Sequence, residues 1–146
     1  MFQPLKIHQG FHTLGPAYYS AVTPTPLSNP HWISTNTALA HQVGLDPKVF
    51  DKPEWLSLMS GQAVPNTITP IATVYSGHQF GFYNPQLGDG RALLLGELED
   101  HNGKRWEMQL KGAGPTPFSR HADGRAVLRS SIREYLCGEN LFGLGI

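Results

Sequence analysis

A β-hairpin in the second half of the chain is the feature that most constrains its fold. Residues 91–98 contain a nearly continuous apolar run, and residues 105–111 alternate between polar and apolar side chains. The dipeptide Asn102-Gly103 between them is a strong signal for a tight turn. Because side chains alternate across a strand, the pattern predicts an antiparallel sheet with one apolar face. It also places Lys111 on the polar face, where the second strand ends.

Glycine-rich turns flank this hairpin on both sides. Gly88 and Gly90 precede the first strand in the tetrapeptide that ends at Arg91, and Gly112 and Gly114 follow the second. Glycine lacks a Cβ, so it lets the backbone approach a phosphate closely. Arginine can bind phosphate oxygens through two parallel hydrogen bonds. Taken alone, however, this tetrapeptide is more typical of an ordinary hairpin turn.

A third glycine turn leads into the last predicted helix. We expect this helix to start near Gly124 or Arg125, directly after Asp123, and to end near Asn140. Apolar side chains recur along it every four residues, which predicts a buried stripe. The members of that stripe are Leu128, Ile132 and Leu136.

The helix carries an acidic residue, Glu134, off the apolar stripe. Kinase-type lobes hold a nucleotide's phosphates with a strand lysine that pairs with a helix glutamate. Lys111 and Glu134 follow the glycine turn in that order. Read singly, each residue is more often a solvated surface charge.

The first seventy residues carry weaker signals. Prolines at positions 24 and 26 favour extended backbone, so residues 1–30 are predicted to form an irregular arm. One short helix is predicted from Ser34 or Thr35 to about Leu45, and another from Pro53 onward.

The pattern changes at residue 71, where strands are predicted at 71–75 and 80–83 around a turn at Ser76-Gly77. The predicted organisation is therefore an arm with short helices over residues 1–70 and a nucleotide-binding lobe over residues 71–146.

Composition excludes several classes of function. The net charge is zero and basic residues are not clustered, which argues against nucleic acid and anionic membranes as partners. The single cysteine, Cys137, excludes an internal disulfide and a multi-cysteine zinc site. We find neither a secretory signal pattern nor an apolar run that could span a membrane, so a cytoplasmic location is expected.

Four segments of the sequence, in this order, resemble the selenoprotein O (YdiU) family. They are residues 75–81, 86–91, 110–120 and 123–134. The resemblance covers nearly the whole chain, from about residue 24 to residue 146. It implies a truncated α+β chain that corresponds to a protein-kinase-like N-terminal lobe, in which an antiparallel sheet and a glutamate-bearing helix follow the arm. It also implies a protein adenylyltransferase, which transfers AMP from ATP to hydroxyl groups of Ser, Thr or Tyr in proteins.

The resemblance also implies which residues contact ATP. These are Gly88, Gly90, Arg91, Lys111, Asp123 and Gly124, with Glu134 as the ion-pair partner of Lys111. The family's catalytic aspartate and its Mg²⁺ ligands belong to a C-terminal part whose motifs are not among these 146 residues. The chain alone is therefore expected to be inactive, with apolar C-terminal residues that the missing lobe would cover.

Two other functions stay open at the level of sequence. One is a non-catalytic, ATP-binding or regulatory module of kinase-like fold. The other is an ordinary protein kinase lobe, which is disfavoured because no GxGxxGxV segment precedes the strand lysine.

Overall fold

The computed structural model describes residues 6–146, and in these residues six strands form one antiparallel sheet. The strands are β1 (Ile7–His8), β2 (Tyr19–Ala21), β3 (Ile71–Gln79), β4 (Phe82–Gly88), β5 (Ala92–Glu99) and β6 (Arg105–Lys111). β1, β5, β3 and β2 follow one another across the sheet, β6 pairs with β5, and β4 pairs with β3. The predicted α+β class is confirmed.

The predicted hairpin is formed by β5 and β6. Its register runs from Ala92 opposite Lys111 to Glu99 opposite Arg105. The connecting loop is organised by Asp100, whose carboxylate accepts hydrogen bonds from two backbone amides of the loop and from the Trp106 indole. The indole hydrogen bond is the main reason that the pKa of Asp100 lies below its usual value.

The predicted turn at Ser76-Gly77 is wrong. β3 continues through these residues, which lie at a break in the register of its pairing with β4. The turn is instead made by Phe80 and Gly81, whose φ angles are 55° and 82°. A two-residue hairpin turn of type I′ needs positive φ at both central residues, and a bulky Phe in that position gives little sequence signal.

The first thirty residues are not wholly irregular, which corrects the predicted arm. β1 pairs with β5 and β2 pairs with β3, so residues 7–8 and 19–21 extend the same sheet. The division of the chain at residue 70 remains a prediction, but strands from both sides of it share backbone hydrogen bonds.

Three α-helices accompany the sheet: α1 (Thr37–Gln42), α2 (Pro53–Met59) and α3 (Leu128–Gly143). Two 3-10 turns lie at Gly10–Leu14 and Pro47–Asp51. α1 starts later than predicted because Asn36, rather than Ser34 or Thr35, caps it by accepting a hydrogen bond from the Leu39 amide. It also ends before the predicted Leu45, and Gly44 has a φ of 82°, outside the helical region.

α3 begins at Leu128, later than the predicted start at Gly124 or Arg125. Gly124 has a φ of 67°, which is outside the helical region. The Arg125 side chain donates hydrogen bonds to the carbonyls of Thr25 and Pro26, and so fixes the segment as a loop. These contacts link residues a hundred positions apart, and local sequence does not reveal them.

A hydrophobic core cluster lies between α2 and the sheet. Its buried members are Trp55, Leu58, Ile68, Leu95, Leu98, Met108 and Leu110. Met108 and Leu110 come from the apolar face of β6, as its alternating pattern predicts.

The predicted buried stripe on α3 is wrong. Leu128, Ile132 and Leu136 are 53%, 46% and 56% exposed. Ser130 is half-buried and the rest of α3 is exposed. The periodicity correctly indicates an apolar face, but the described residues do not cover it.

Candidate nucleotide site

An open cleft of about 780 Å³ lies at the end of the sheet where β4 ends and β5 begins. Its volume falls in the range typical of small-molecule sites. Most of the predicted ATP contacts line it, namely Gly88, Gly90, Arg91, Lys111 and Gly124. Asp123 is the exception: it lies next to the lining residues, and its carboxylate accepts a hydrogen bond from the Arg125 amide.

An ion pair links the sheet to α3 at the cleft. The Lys111 Nζ lies 2.6 Å from the Glu134 Oε2, and the Arg91 Nη2 lies 3.8 Å from the Glu134 Oε1. The register explains this grouping, because Lys111 at the end of β6 pairs with Ala92, and Arg91 directly precedes Ala92 in the turn before β5. One carboxylate thus faces two cations, one from the end of β6 and one from the turn before β5.

This grouping lowers the pKa of Glu134. The hydrogen bond from Lys111 is the largest cause, and the charges of Lys111 and Arg91 add to it. The Lys111 and Glu134 side chains are about half exposed, so solvent screens their attraction and the pair contributes little to stability. Its main consequence is orientation, since Glu134 holds the flexible lysine side chain at the cleft.

The glycines of the turn before β5 are required by packing. A Cβ on Gly88 would overlap the ring of Phe118, and a Cβ on Gly90 would lie 3.0 Å from the Phe118 carbonyl oxygen. The loop that follows β6 therefore lies directly against this turn. Close packing by itself accounts for Gly88 and Gly90, independently of any ligand.

Two hydroxyl groups connect the same loop to the turn. Thr116 Oγ1 donates to the Asp89 carbonyl at 2.6 Å, and Ser119 Oγ donates to the Gly90 carbonyl at 2.5 Å. The Asp89 carboxylate accepts hydrogen bonds from the amide and the hydroxyl of Thr73 on β3. The turn is thus held on two sides, and Asp89, to which the sequence analysis assigns no role, is a structural anchor.

Several cleft residues were missed at the level of sequence. They are Tyr75, Gln79, Gln86, Gln109, Phe118, Ser119 and Arg120. For all of these residues except Gln109, the one available signal was their position within the segments that carry the family resemblance. Spacing alone does not reveal them, because they come from three strands and a loop that meet only in the fold.

The charge of the cleft favours an anionic ligand. Arg91, Lys111, Arg120 and Arg125 line it, and Asp89 is the acidic residue among the described lining residues. Since the Asp89 carboxylate is directed to Thr73, the cationic groups dominate the open space.

In residues 6–146, no cluster of three His, Cys, Asp or Glu side chains is arranged to hold a metal ion. Within the same residues, none of the helices combines the length and apolar character needed to cross a membrane.

Comparison with known proteins gives a single family. The family model described as protein adenylyltransferase SelO matches residues 1–146. Relatives named protein nucleotidyltransferase YdiU are 51% identical in Aliivibrio fischeri (strain ATCC 700601 / ES114) and 52% identical in Azotobacter vinelandii, each over 142 residues. These matches cover 97% of this chain and 29% of each relative. In Aliivibrio salmonicida the match is 50% over 146 residues, covering the whole chain and 30% of the relative. The chain thus spans less than a third of the length of these relatives.

Proposed function

The chain belongs to the SelO protein adenylyltransferase family, and from this membership we propose that it forms the nucleotide-binding part of a protein adenylyltransferase. The whole enzyme would transfer AMP from ATP to Ser, Thr or Tyr hydroxyls of protein substrates. The names of the relatives support nucleotidyl transfer in general. The choice of AMP and of protein hydroxyls rests on the family description and on the resemblance of the motifs.

One observation carries the assignment: the pairing of Lys111 with Glu134 at the edge of a cationic cleft. A kinase-type site needs a strand lysine aimed at phosphates by a helix glutamate. Here the Glu134 Oε2 lies 2.6 Å from the Lys111 Nζ, and the Arg91 Nη2 lies 3.8 Å from the other oxygen of the same carboxylate. The antiparallel sheet and the order of glycine turn, strand lysine and helix glutamate support a kinase-like fold.

We assign ATP binding to the six residues that the family resemblance implies, which are two cations, three glycines and one aspartate. Arg91 and Lys111 would neutralise phosphate charge, because guanidinium and ammonium groups donate charge-assisted hydrogen bonds to phosphate oxygens. Gly88, Gly90 and Gly124 would bring backbone close to the nucleotide. Asp123 is the sixth residue: it lies between the lining residues Ala122 and Gly124, and its carboxylate accepts a hydrogen bond from the Arg125 amide.

Transfer of AMP also requires a base for the attacking hydroxyl and a metal to neutralise the leaving pyrophosphate. The described residues do not provide a fitting metal group. We therefore propose that the catalytic aspartate and the Mg²⁺ ligands belong to the part of the longer protein that these 146 residues do not include. The same part would cover the exposed apolar face of α3, which includes Phe142 at 60% exposure.

Two measurements on the purified chain test this proposal. Isothermal titration calorimetry with ATP should detect binding, and binding should weaken in Lys111→Ala but not in Lys48→Ala, which removes an exposed lysine of the 3-10 turn Pro47–Asp51. A second assay with radiolabelled ATP and Mg²⁺ should show no AMP incorporated into protein.

Absence of ATP binding would refute the nucleotide site. Robust AMP incorporation would show that a base and a metal site exist within these residues. If a protein of the relatives' full length binds ATP and yet transfers nothing, the alternative of a non-catalytic ATP-binding module is favoured.

A further inference from the structure

Arg120 is a cationic residue that lines the cleft. It belongs neither to the series of glycine turn, strand lysine and helix glutamate nor to the Lys111–Glu134 ion pair. Its Nη2 donates a hydrogen bond of 2.6 Å to the Gln79 Oε1, which belongs to the β3–β4 hairpin. Both residues line the cleft. Within the described residues Arg120 pairs with this neutral amide and with no carboxylate, so its charge is not compensated as that of Lys111 is.

The backbone on both sides of this contact is in an unusual conformation. Arg120 has a φ of 58°, and Phe80, directly after Gln79, has a φ of 55°. Residues other than glycine and asparagine rarely adopt positive φ, and such strained positions cluster at ligand-binding and catalytic sites. Arg120 itself makes the contact with Gln79, and Phe80 follows Gln79 in the β3–β4 turn.

The segment that carries Arg120 is firmly held. Ser119 is buried, donates to the Gly90 carbonyl, and accepts a hydrogen bond from the Thr116 amide. Because Ser119 directly precedes Arg120, the arginine is fixed to the same turn that bears Arg91. The backbone that carries the guanidinium is thus held in place at the cleft by these hydrogen bonds.

We propose that Arg120 is a further phosphate-binding residue, which contacts the phosphate chain of a nucleoside triphosphate in this cleft. Gln79 holds the guanidinium over the cleft before the nucleotide binds. A guanidinium has five N–H donors, so one hydrogen bond to an amide leaves others free for a bidentate contact with phosphate. A charged phosphate oxygen is a stronger acceptor than a neutral amide oxygen, so these contacts would be stronger than the hydrogen bond to Gln79. This inference rests on the proposed nucleotide site and adds a residue to it.

Calorimetry of the chain with ATP and, separately, with adenosine tests the inference. Arg120→Gln should weaken ATP binding roughly tenfold, the loss typical of one charged hydrogen-bonding contact, and leave adenosine binding unchanged. Gln79→Ala removes the tether but keeps the cation, so its ATP affinity should stay within about threefold. Arg105→Gln, which removes an exposed arginine outside the cleft, serves as the matched control.

Equal ATP affinity in Arg120→Gln and the unmodified chain, while Lys111→Ala loses affinity, overturns the role of Arg120 and leaves the nucleotide site intact. A parallel loss for ATP and adenosine also overturns it, because that result indicates a structural role. If Arg120→Gln does not fold, Arg120→Lys is tested instead. This variant keeps the positive charge but loses the bidentate geometry, so the inference requires that it weaken binding of ATP and leave binding of adenosine unchanged. An unmodified chain that binds no ATP overturns both proposals.

Discussion

The two helices α2 and α3 are fixed to the sheet in opposite ways. α2 has seven residues and buries Trp55 and Leu58, which are 3% and 4% exposed. α3 has sixteen residues and stays exposed along nearly its whole length. Its contacts are polar: Glu134 binds Lys111, and Glu139 accepts a hydrogen bond from Asn36 at 2.8 Å. The position of α3 therefore depends on charge at the cleft, whereas that of α2 depends on burial.

The largest effect is expected from Trp55→Ala. Removing a buried indole should lower the free energy of unfolding by about 3–5 kcal/mol, because the cavity is added to the lost apolar burial. Leu136→Ala on α3 is the matched comparison and should change it by less than about 0.5 kcal/mol. Urea denaturation of both variants checks this. Similar losses in the two would show that α3 is held by packing after all.

Lys111→Ala should affect binding rather than folding. ATP affinity should fall roughly 10- to 100-fold, the range for a lost charged hydrogen bond to phosphate, while the melting temperature changes little. Calorimetry and thermal unfolding on the same sample separate the two effects. An unchanged affinity would remove Lys111 from the site, and a large drop in melting temperature would give it a structural role.

Glu134→Gln should loosen α3 at a small cost in stability. The variant keeps the shape of the side chain but loses the charge that attracts Lys111, and an exposed pair of this kind contributes less than about 1 kcal/mol. Amide hydrogen exchange should speed up in α3 and remain unchanged in α2. In a protein of the relatives' full length, AMP transfer should decrease more than thermal stability. Unaltered exchange in α3 would contradict a helix held by charge.

The smallest effect concerns pH. The pKa of Glu134 is lowered in the folded chain, mainly by the hydrogen bond from Lys111. Its stabilising contribution is therefore complete above the usual carboxyl pKa and is lost as the pH falls through the lowered value. NMR titration of the Glu134 carboxyl should show the lowered pKa, and Lys111→Ala should raise it toward the usual value. A pKa that stays low in the variant would assign the shift to another group.

Sequence by itself determined the elements that depend on local pattern. The β5–β6 hairpin follows from alternation and from the Asn102-Gly103 turn, both of which act between near neighbours. The order of glycine turn, strand lysine and helix glutamate could also be recognised in the sequence. The resemblance of the sequence motifs indicated the family that the comparisons establish.

Only the tertiary structure decided features that depend on distant contacts. Phe80-Gly81 became the β3–β4 turn because the pairing register of two strands requires positive φ there. Asp89 anchors the turn because the fold brings its carboxylate to the Thr73 hydroxyl. Arg120 forms its hydrogen bond with Gln79, which lies forty-one positions away in the sequence. The apolar period of α3 specified a face but could not specify what lies against it. Periodicity reports the conformation of a segment, whereas burial and partnership depend on which other segments the fold brings within contact distance.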